Sequence, residues 1–515
     1  AELARHFQEA GNQSKVVEYL YRASERATRL FAFDEAIERF HRALTIVQAL
    51  SDPIERMQQV FRLHMGLAEA RRKAGHFELA LESFQKAAAL ARDSGSAEEL
   101  ARAALGYEET RWRANLPVKP AALLLTEALD KLTSEEGVLR VRVWLNLART
   151  RMPISSPEEV EVILQQALEK ARRVDDPVAL FEALYLSVRG NRRPEQSDER
   201  LAMLNEMLQL AETIGSYELS RDAYGFRLLE YLERGEIDTY LADEQRYMIP
   251  MSSRIGQPFY DYVATLYRIA PAQLAGRFDE AEELVGQALE IGRQMRVENH
   301  DGVYGMQMFT IRREQGRLKE LAPVLRLIVS QNPATAIWRP GLALMYAELD
   351  MRGEAEVEFE KLALNDFGNL SRDGLWVTNL VFLSEVCAYL GDRERAAILY
   401  ELLRPYDGRN IVIGFYSGSL GATARYLALL ALTMSDWQTA ERHFEDALAM
   451  NERMGGWPWL AHTQYEYGRM LLACGGSQDR DRAQTLLSAA LETATDLGMA
   501  GLIADIEIQN NGPST

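Results

Sequence analysis

GRFDEAEELVGQALEIGRQM (Gly276–Met295) and SDWQTAERHFEDALAMNERM (Ser435–Met454) share little identity but have one skeleton. A turn-like start leads to Ala-Glu, a bulky residue stands four positions after the alanine, and Ala-Leu follows three later. Offsets of 0, +4 and +7 fall on one face of an α-helix. Alanine at two of them lets a neighbouring helix approach closely, and the bulky residue fills the gap between.

The same triplet recurs along the chain. It reads Ala36, Phe40, Ala43, then Ala80, Phe84, Ala87, then Ala483, Leu487, Ala490. Looser copies are Ala121, Leu125, Ala128; Val160, Leu164, Ala167; Ala355, Phe359, Leu362; and Ala396, Tyr400, Leu403. Leu321, Leu325, Ile328 and the stretch around Leu204 and Met207 fit more weakly. Anchor spacings of 44 (Ala36 to Ala80), 40 (Ala281 to Leu321), 41 (Ala355 to Ala396) and 43 (Ala440 to Ala483) suit one helix pair per repeat. The triplet marks the second helix of each pair. The first helix ends at glycine, as at Gly75, Gly276 and Gly391. Neither helix can bury its apolar stripe alone, so the unit is repeated and stacked.

The expected fold is therefore all-α: a right-handed α-solenoid of about twelve antiparallel helix pairs. Residues 1–250 form N-terminal repeats, divergent between 121 and 250. Residues 251–503 form C-terminal repeats continuous with them, and 504–515 form a polar, disordered tail. The one strand-like run, RNIVIGFYS (Arg409–Ser417), reads as an extended connection into a helix from Ser419.

Composition narrows the function classes. The net charge is −18, from 58 Lys and Arg against 76 Asp and Glu, so a phosphate backbone is repelled and direct nucleic-acid binding is not expected. Cys387 and Cys474 are the only cysteines, which excludes a disulfide framework or a Cys-rich metal site and suits a reducing cytoplasm. The longest apolar stretch, around Tyr426 to Met434, is far short of a membrane span. The chain opens on Ala rather than Met, and it is expected to be part of something longer.

The small-residue first helices and the Ala, aromatic, Ala second helices resemble the tetratricopeptide repeat, with a period longer than the usual 34. The longer form resembles the repeat region of MalT-type regulators and signalling ATPases. Gly408–Leu472, GRNIVIGFYSGSLGATARYLALLALTMSDWQTAERHFEDALAMNERMGGWPWLAHTQYEYGRMLL, is similar to the C-terminal repeats of large bacterial proteins. Those couple an AAA/STAND-type ATPase to an adenylate cyclase or a LuxR-type DNA-binding domain. Glu2–Leu44 resembles their passage from ATPase to repeats. The resemblance implies a sensor or regulatory module with an attached ATPase as reporter.

A reactive constellation is not evident. A phosphate-binding loop needs GxxxxGK[ST], and no Gly-Lys dipeptide exists. Gly414, Gly418 and Gly421 lack that lysine and read as a flexible lead into a closely packed helix. No His is followed by Glu, and no GxSxG elbow occurs. His41 and His443 read as surface imidazoles, and both cysteines as small buried packing residues. No cofactor, metal or catalytic residue is expected.

Binding residues are instead expected on the first helices, which line the concave face of such superhelices. By register these are Arg62, Glu69, Arg72, Arg313, Glu385, Arg425 and Arg469, with Met306 beside them. Arginine suits bidentate recognition of carboxylate or phosphate. Arg313, Arg425 and Arg469 are expected to be exposed, to contact an acidic partner, and to matter little for folding. Trp338, Trp376, Tyr416, Trp457 and Trp459 are candidate anchors, the last two flanking a helix start at Pro458. The function expected is binding of a protein, peptide or small effector in the groove; the alternative is a scaffold for self-association or assembly.

Overall fold

The computed structural model describes residues 2–133, 137–152, 155–190, 192–295, 300–323, 339–372, 374–414, 418–474 and 477–510. Among these the chain is an all-α helical repeat, with one two-stranded antiparallel sheet.

One repeat shows how local chemistry builds the unit. Asp52 caps the helix Pro53–Lys73 by accepting from the Ile54 amide, and Pro53 costs nothing in the first turn. Gly75, at φ +80, ends it in the left-handed region. The helix Phe77–Ser94 returns antiparallel with Glu78 in its first turn, and Ser96 caps the next helix, Ala97–Arg113. Ala80, Phe84 and Ala87 are buried, as are Ala36, Phe40 and Ala43, Ala281, Val285 and Ala288, Ala440, Phe444 and Ala447, and Ala483, Leu487 and Ala490.

The first helices carry the complement of the bulky residue. A Cβ on Gly66 would lie 2.6 Å from the Phe40 ring, and one on Gly106 would meet the Phe84 ring. The glycine of one first helix thus receives the aromatic of the preceding second helix. Gly468 instead faces Leu487 of its own pair, 2.9 Å from where a Cβ would stand.

The chain forms two compact units. One comprises Ala1–Arg227, Gln245–Ala264 and Leu289–Asp301; the other comprises Leu228–Glu244, Thr265–Ala288 and Gly302–Thr515. Within the first, buried clusters follow one another along the sequence. One holds Val17, Phe40, Leu63 and Leu67, the next Phe84, Leu100, Tyr107 and Leu125, the next Val141, Leu164 and Leu186. The second unit has a matching cluster of Ala440, Phe444, Tyr467 and Ala483. Each fills the space between neighbouring repeats, as expected when stability is a sum of nearest-neighbour terms.

Four expectations need correction. The segment after Tyr406 is a hairpin: Asn410–Val412 pairs with Ser419–Ala422, and the helix begins at Thr423 rather than Ser419. Buried Asn410 holds it in place, donating to the Leu232 carbonyl and accepting from the Ser419 hydroxyl. The tail is helical through Asn510, in Ala500–Asn510 with Leu502 and Ile506 buried, so residues 504–510 are not a loose end. Apolar side chains at those positions give the last helix a face to bury. The division into units falls after Arg227, and two later passages return to the first unit, where a single boundary at 250 was expected. His443 is 1% exposed, bonding the Tyr400 hydroxyl at 2.9 Å, and Cys474 is exposed; the two were expected the other way round. Leu325, Ile328, Trp338, Tyr416 and residues 511–515 lie outside the described residues.

Candidate functional site

A charged position recurs near the C-terminal ends of successive first helices. In the first unit Arg72, Glu109 and Arg149 follow at steps of 37 and 40, close to the repeat period. Stacking brings them side by side. Arg72 holds Glu69 through two bonds, 3.0 Å from Nε and 2.6 Å from Nη2, and lies 3.9 Å from Glu109. Glu109 accepts from Arg113 Nε at 2.7 Å and from Arg149 Nη2 at 3.2 Å. Arg149 also chelates Glu108. Arg142 grips Glu182 at 3.0 and 2.6 Å, and Lys73 reaches Glu218 at 2.7 Å. Burial alone would raise the Glu109 carboxyl; Arg113, Arg149 and Arg72 outweigh it and hold the group far below the usual range.

Glu69, Arg72, Glu109, Arg113, Arg142, Arg149, Glu182 and Glu218 line an open cavity of about 300 Å³. The helices Pro53–Lys73, Ala97–Arg113, Val138–Arg151, Pro177–Gly190 and Tyr217–Arg234 supply its wall. Trp112, Phe181 and Tyr185 form an aromatic side, with Trp112 and Tyr185 edge to face at 6.0 Å. Two groups on lining residues are not satisfied, the first of them an atom out of reach of solvent. Arg113 Nη1 is buried without a hydrogen-bond partner, although Nε bonds Glu109 and Nη2 donates to the Tyr260 hydroxyl at 3.1 Å. Asp222 makes no hydrogen bond or ion pair among the described residues. Burial pushes its carboxyl up to about 6, with the charges of Arg113 and Arg221 offsetting only part.

The second unit carries a closed chain of pairs. Arg313 bonds Glu348 at 2.9 Å and Glu385 at 3.0 and 2.8 Å; Arg425 bonds the same Glu385 at 3.0 Å and Glu466 at 2.9 Å. Their positions step by 35, 37, 40 and 41 residues from Arg313 to Glu466. Burial would raise the Glu385 carboxyl, but Arg313 and Arg425 hold it down at about 2. His462 Nε2 lies 2.7 Å from Glu314, and the buried Trp459 stacks on the His462 ring.

The seven residues expected on the groove therefore divide. Glu69 and Arg72 line the cavity of the first unit. Arg313, Glu385 and Arg425 come together, but with side chains only 6%, 8% and 2% exposed and bonded to one another. They are not the solvated charges that were expected. Arg62 and Arg469 are exposed, each over a tyrosine: Arg62 at 3.7 Å from the Tyr21 ring centre, Arg469 at 5.4 Å from that of Tyr465. Met306 and Trp376 are buried, and Trp457 is exposed. Sequence reading missed Glu109, Arg113, Arg149, Glu348 and Glu466. Their spacing of about one repeat was a usable signal; Asp222 carried none. Buried Cys387 has its thiol pushed up to about 12 by burial and donates to the Asp392 carbonyl, which suits packing rather than nucleophilic attack.

Residues 63–98 match the family model for the tetratricopeptide repeat, and the repeat is of that helical type. No curated protein matches the chain in sequence. Among solved structures, the crystal structure of a Rap protein complexed with competence and sporulation factor is 14% identical, covering 68% of this chain and 97% of that chain with TM-score 0.39. The APC/C hetero-tetramer Cut9-Hcn1 is 15% identical, with 96% and 90% covered and TM-score 0.44. Ypp1 is 9% identical, with 98% and 93% covered and TM-score 0.36.

Proposed function

We infer that the chain is a non-catalytic binding module that recognises a protein, a peptide or a small effector through the first helices of its repeats. One observation carries the reading: first helices of successive repeats in the first unit together line one cavity that has both charged and aromatic walls. The contacts proposed are Glu69 and Arg72 at the cavity and the exposed Arg62 and Arg469. Arg313, Glu385 and Arg425 hold neighbouring first helices together instead.

The resemblance of Gly408–Leu472 to the repeats of ATPase-coupled bacterial regulators supports a further step. The module is then the sensor or regulatory part of a larger cytoplasmic signal-transduction or transcription-regulating ATPase, and the attached ATPase reports occupancy. Light scattering across a concentration series tests binding against scaffolding. A monomer whose thermal midpoint rises with an effector supports the module, because a ligand selective for the folded state raises the midpoint. A defined oligomer that no effector stabilises supports the scaffold and counts against this reading.

A further inference from the structure

We propose that a second chamber of the first unit binds a small anionic amphiphile, a hydrocarbon chain ending in a carboxylate or a phosphate. This rests on the binding reading above and names the chemistry of the effector. The chamber, of about 790 Å³, adjoins the charged cavity and shares Glu69, Leu105, Gly106 and Arg142 with it. Ligand pockets usually span roughly 300–1,000 Å³, and the chamber lies within that range. Met65, Phe84, Leu105, Leu132, Val138 and Leu139 form its apolar surface. Met65, Leu105, Leu132 and Leu139 are only partly buried and Val138 is 37% exposed, so this surface is open to a ligand.

The charges select the head group. Of the five charged residues lining the chamber, four have an opposite partner: Glu69 with Arg72, Glu98 with Arg102, and Arg142 with Glu182. Arg140 pairs with no carboxylate among the described residues. Its Nη1 donates to the carbonyls of Leu129, at 2.6 Å, and Leu132 at the end of the helix Lys119–Lys131, which holds the guanidinium in place. Its Nε and Nη2 bond no described residue and, unlike Arg113 Nη1, are not shut off from solvent. Two adjacent N–H groups of a planar guanidinium suit a carboxylate or a phosphate. No Asn, Gln, Ser, Thr, Tyr or His lines the chamber. A peptide backbone would find few partners there for its N–H and C=O groups, whereas a hydrocarbon chain needs none.

The test is calorimetry on the full chain with octanoate, decanoate, decyl phosphate, decanol and decyltrimethylammonium, each below its micelle concentration. The decyl anions are expected to bind one to one, and the tighter of the two identifies the head group. Octanoate should bind about tenfold more weakly than decanoate, because it buries two fewer methylenes. Decanol and the decyl cation should bind at least about tenfold more weakly than the anions. Arg140→Gln should weaken decanoate about 10- to 100-fold and leave decanol unchanged. Arg140 also caps a helix, so Val138→Asp is the second variant. It stands in the first turn of Val138–Arg151, where an acid suits the helix. Its charge should weaken decanoate at least about tenfold, with helicity by circular dichroism unchanged. Equal binding of decanol, or indifference to both substitutions, overturns the proposal. So does a leucine-ended peptide that binds more tightly than decanoate and loses that advantage on carboxyl-terminal amidation. A chain that binds a peptide selected by display but no amphiphile loses this ligand and keeps the binding reading; a chain that binds neither loses both.

Discussion

At Asp222, burial and charge act against each other within one side chain. A carboxyl raised to about 6 stabilises the fold most below its ordinary range, and that contribution is lost as pH rises through 6. Asp222→Asn should therefore stabilise the chain at about pH 7 by roughly 1–3 kcal/mol, with the gain fading below about pH 4. Urea midpoints at both pH values check this, and an equal effect at both would contradict the environment described. Glu385 has the opposite sign. Its carboxyl is held at about 2, so its contribution is present above the ordinary carboxylate range and lost as pH falls from there toward 2. Arg425 bridges Glu385 and Glu466 with its side chain buried, so Arg425→Ala should cost about 3–5 kcal/mol by stranding buried charge. The chemical-denaturation midpoint measures that, and a loss under about 1 kcal/mol would place Arg425 among ordinary surface charges. Register alone could place these arginines on first helices, where they were read as lining an open groove. Burial could not be read from it, because burial depends on how closely the next first helix approaches.

The helix pair depends on matched volumes. Gly106 receives the Phe84 ring, whereas a Cβ on Gly286, inside the helix Phe278–Gln294, would meet nothing. Gly106→Ala should destabilise by about 1–3 kcal/mol through overpacking, in spite of alanine's better helix propensity. Gly286→Ala should stabilise by about 0.5–1 kcal/mol through that propensity alone. Thermal melts of the two variants separate packing from propensity, and equal shifts would contradict the packing. Second helices such as Phe77–Ser94 and Trp437–Arg453 were legible because the triplet writes a contact between neighbours into local spacing. The hairpin at Asn410–Ala422 was not, because its register depends on Asn410 reaching the Leu232 carbonyl, 178 residues away. The cavity was half legible. Glu69 and Arg72 lie on a strongly patterned repeat, while Asp222 sits on a helix where the repeat pattern is faint.

At the scale of the whole chain, the repeat supplies many small cores and two runs of paired charge. No Lys-bearing phosphate loop is written in the sequence, so ATP hydrolysis by this chain alone is not expected. A malachite-green assay showing turnover that a substitution within these residues abolishes would refute that. The central claim is that the first helices of the first unit form a binding site at the cavity. Hydrogen–deuterium exchange tests it most directly, on the full chain with a peptide selected by display against it. The account predicts protection over Ala97–Arg113, Val138–Arg151 and Pro177–Gly190, which supply Arg113, Arg149 and Tyr185 to the cavity. Protection confined to other segments, or a selection that returns no binder, would contradict it.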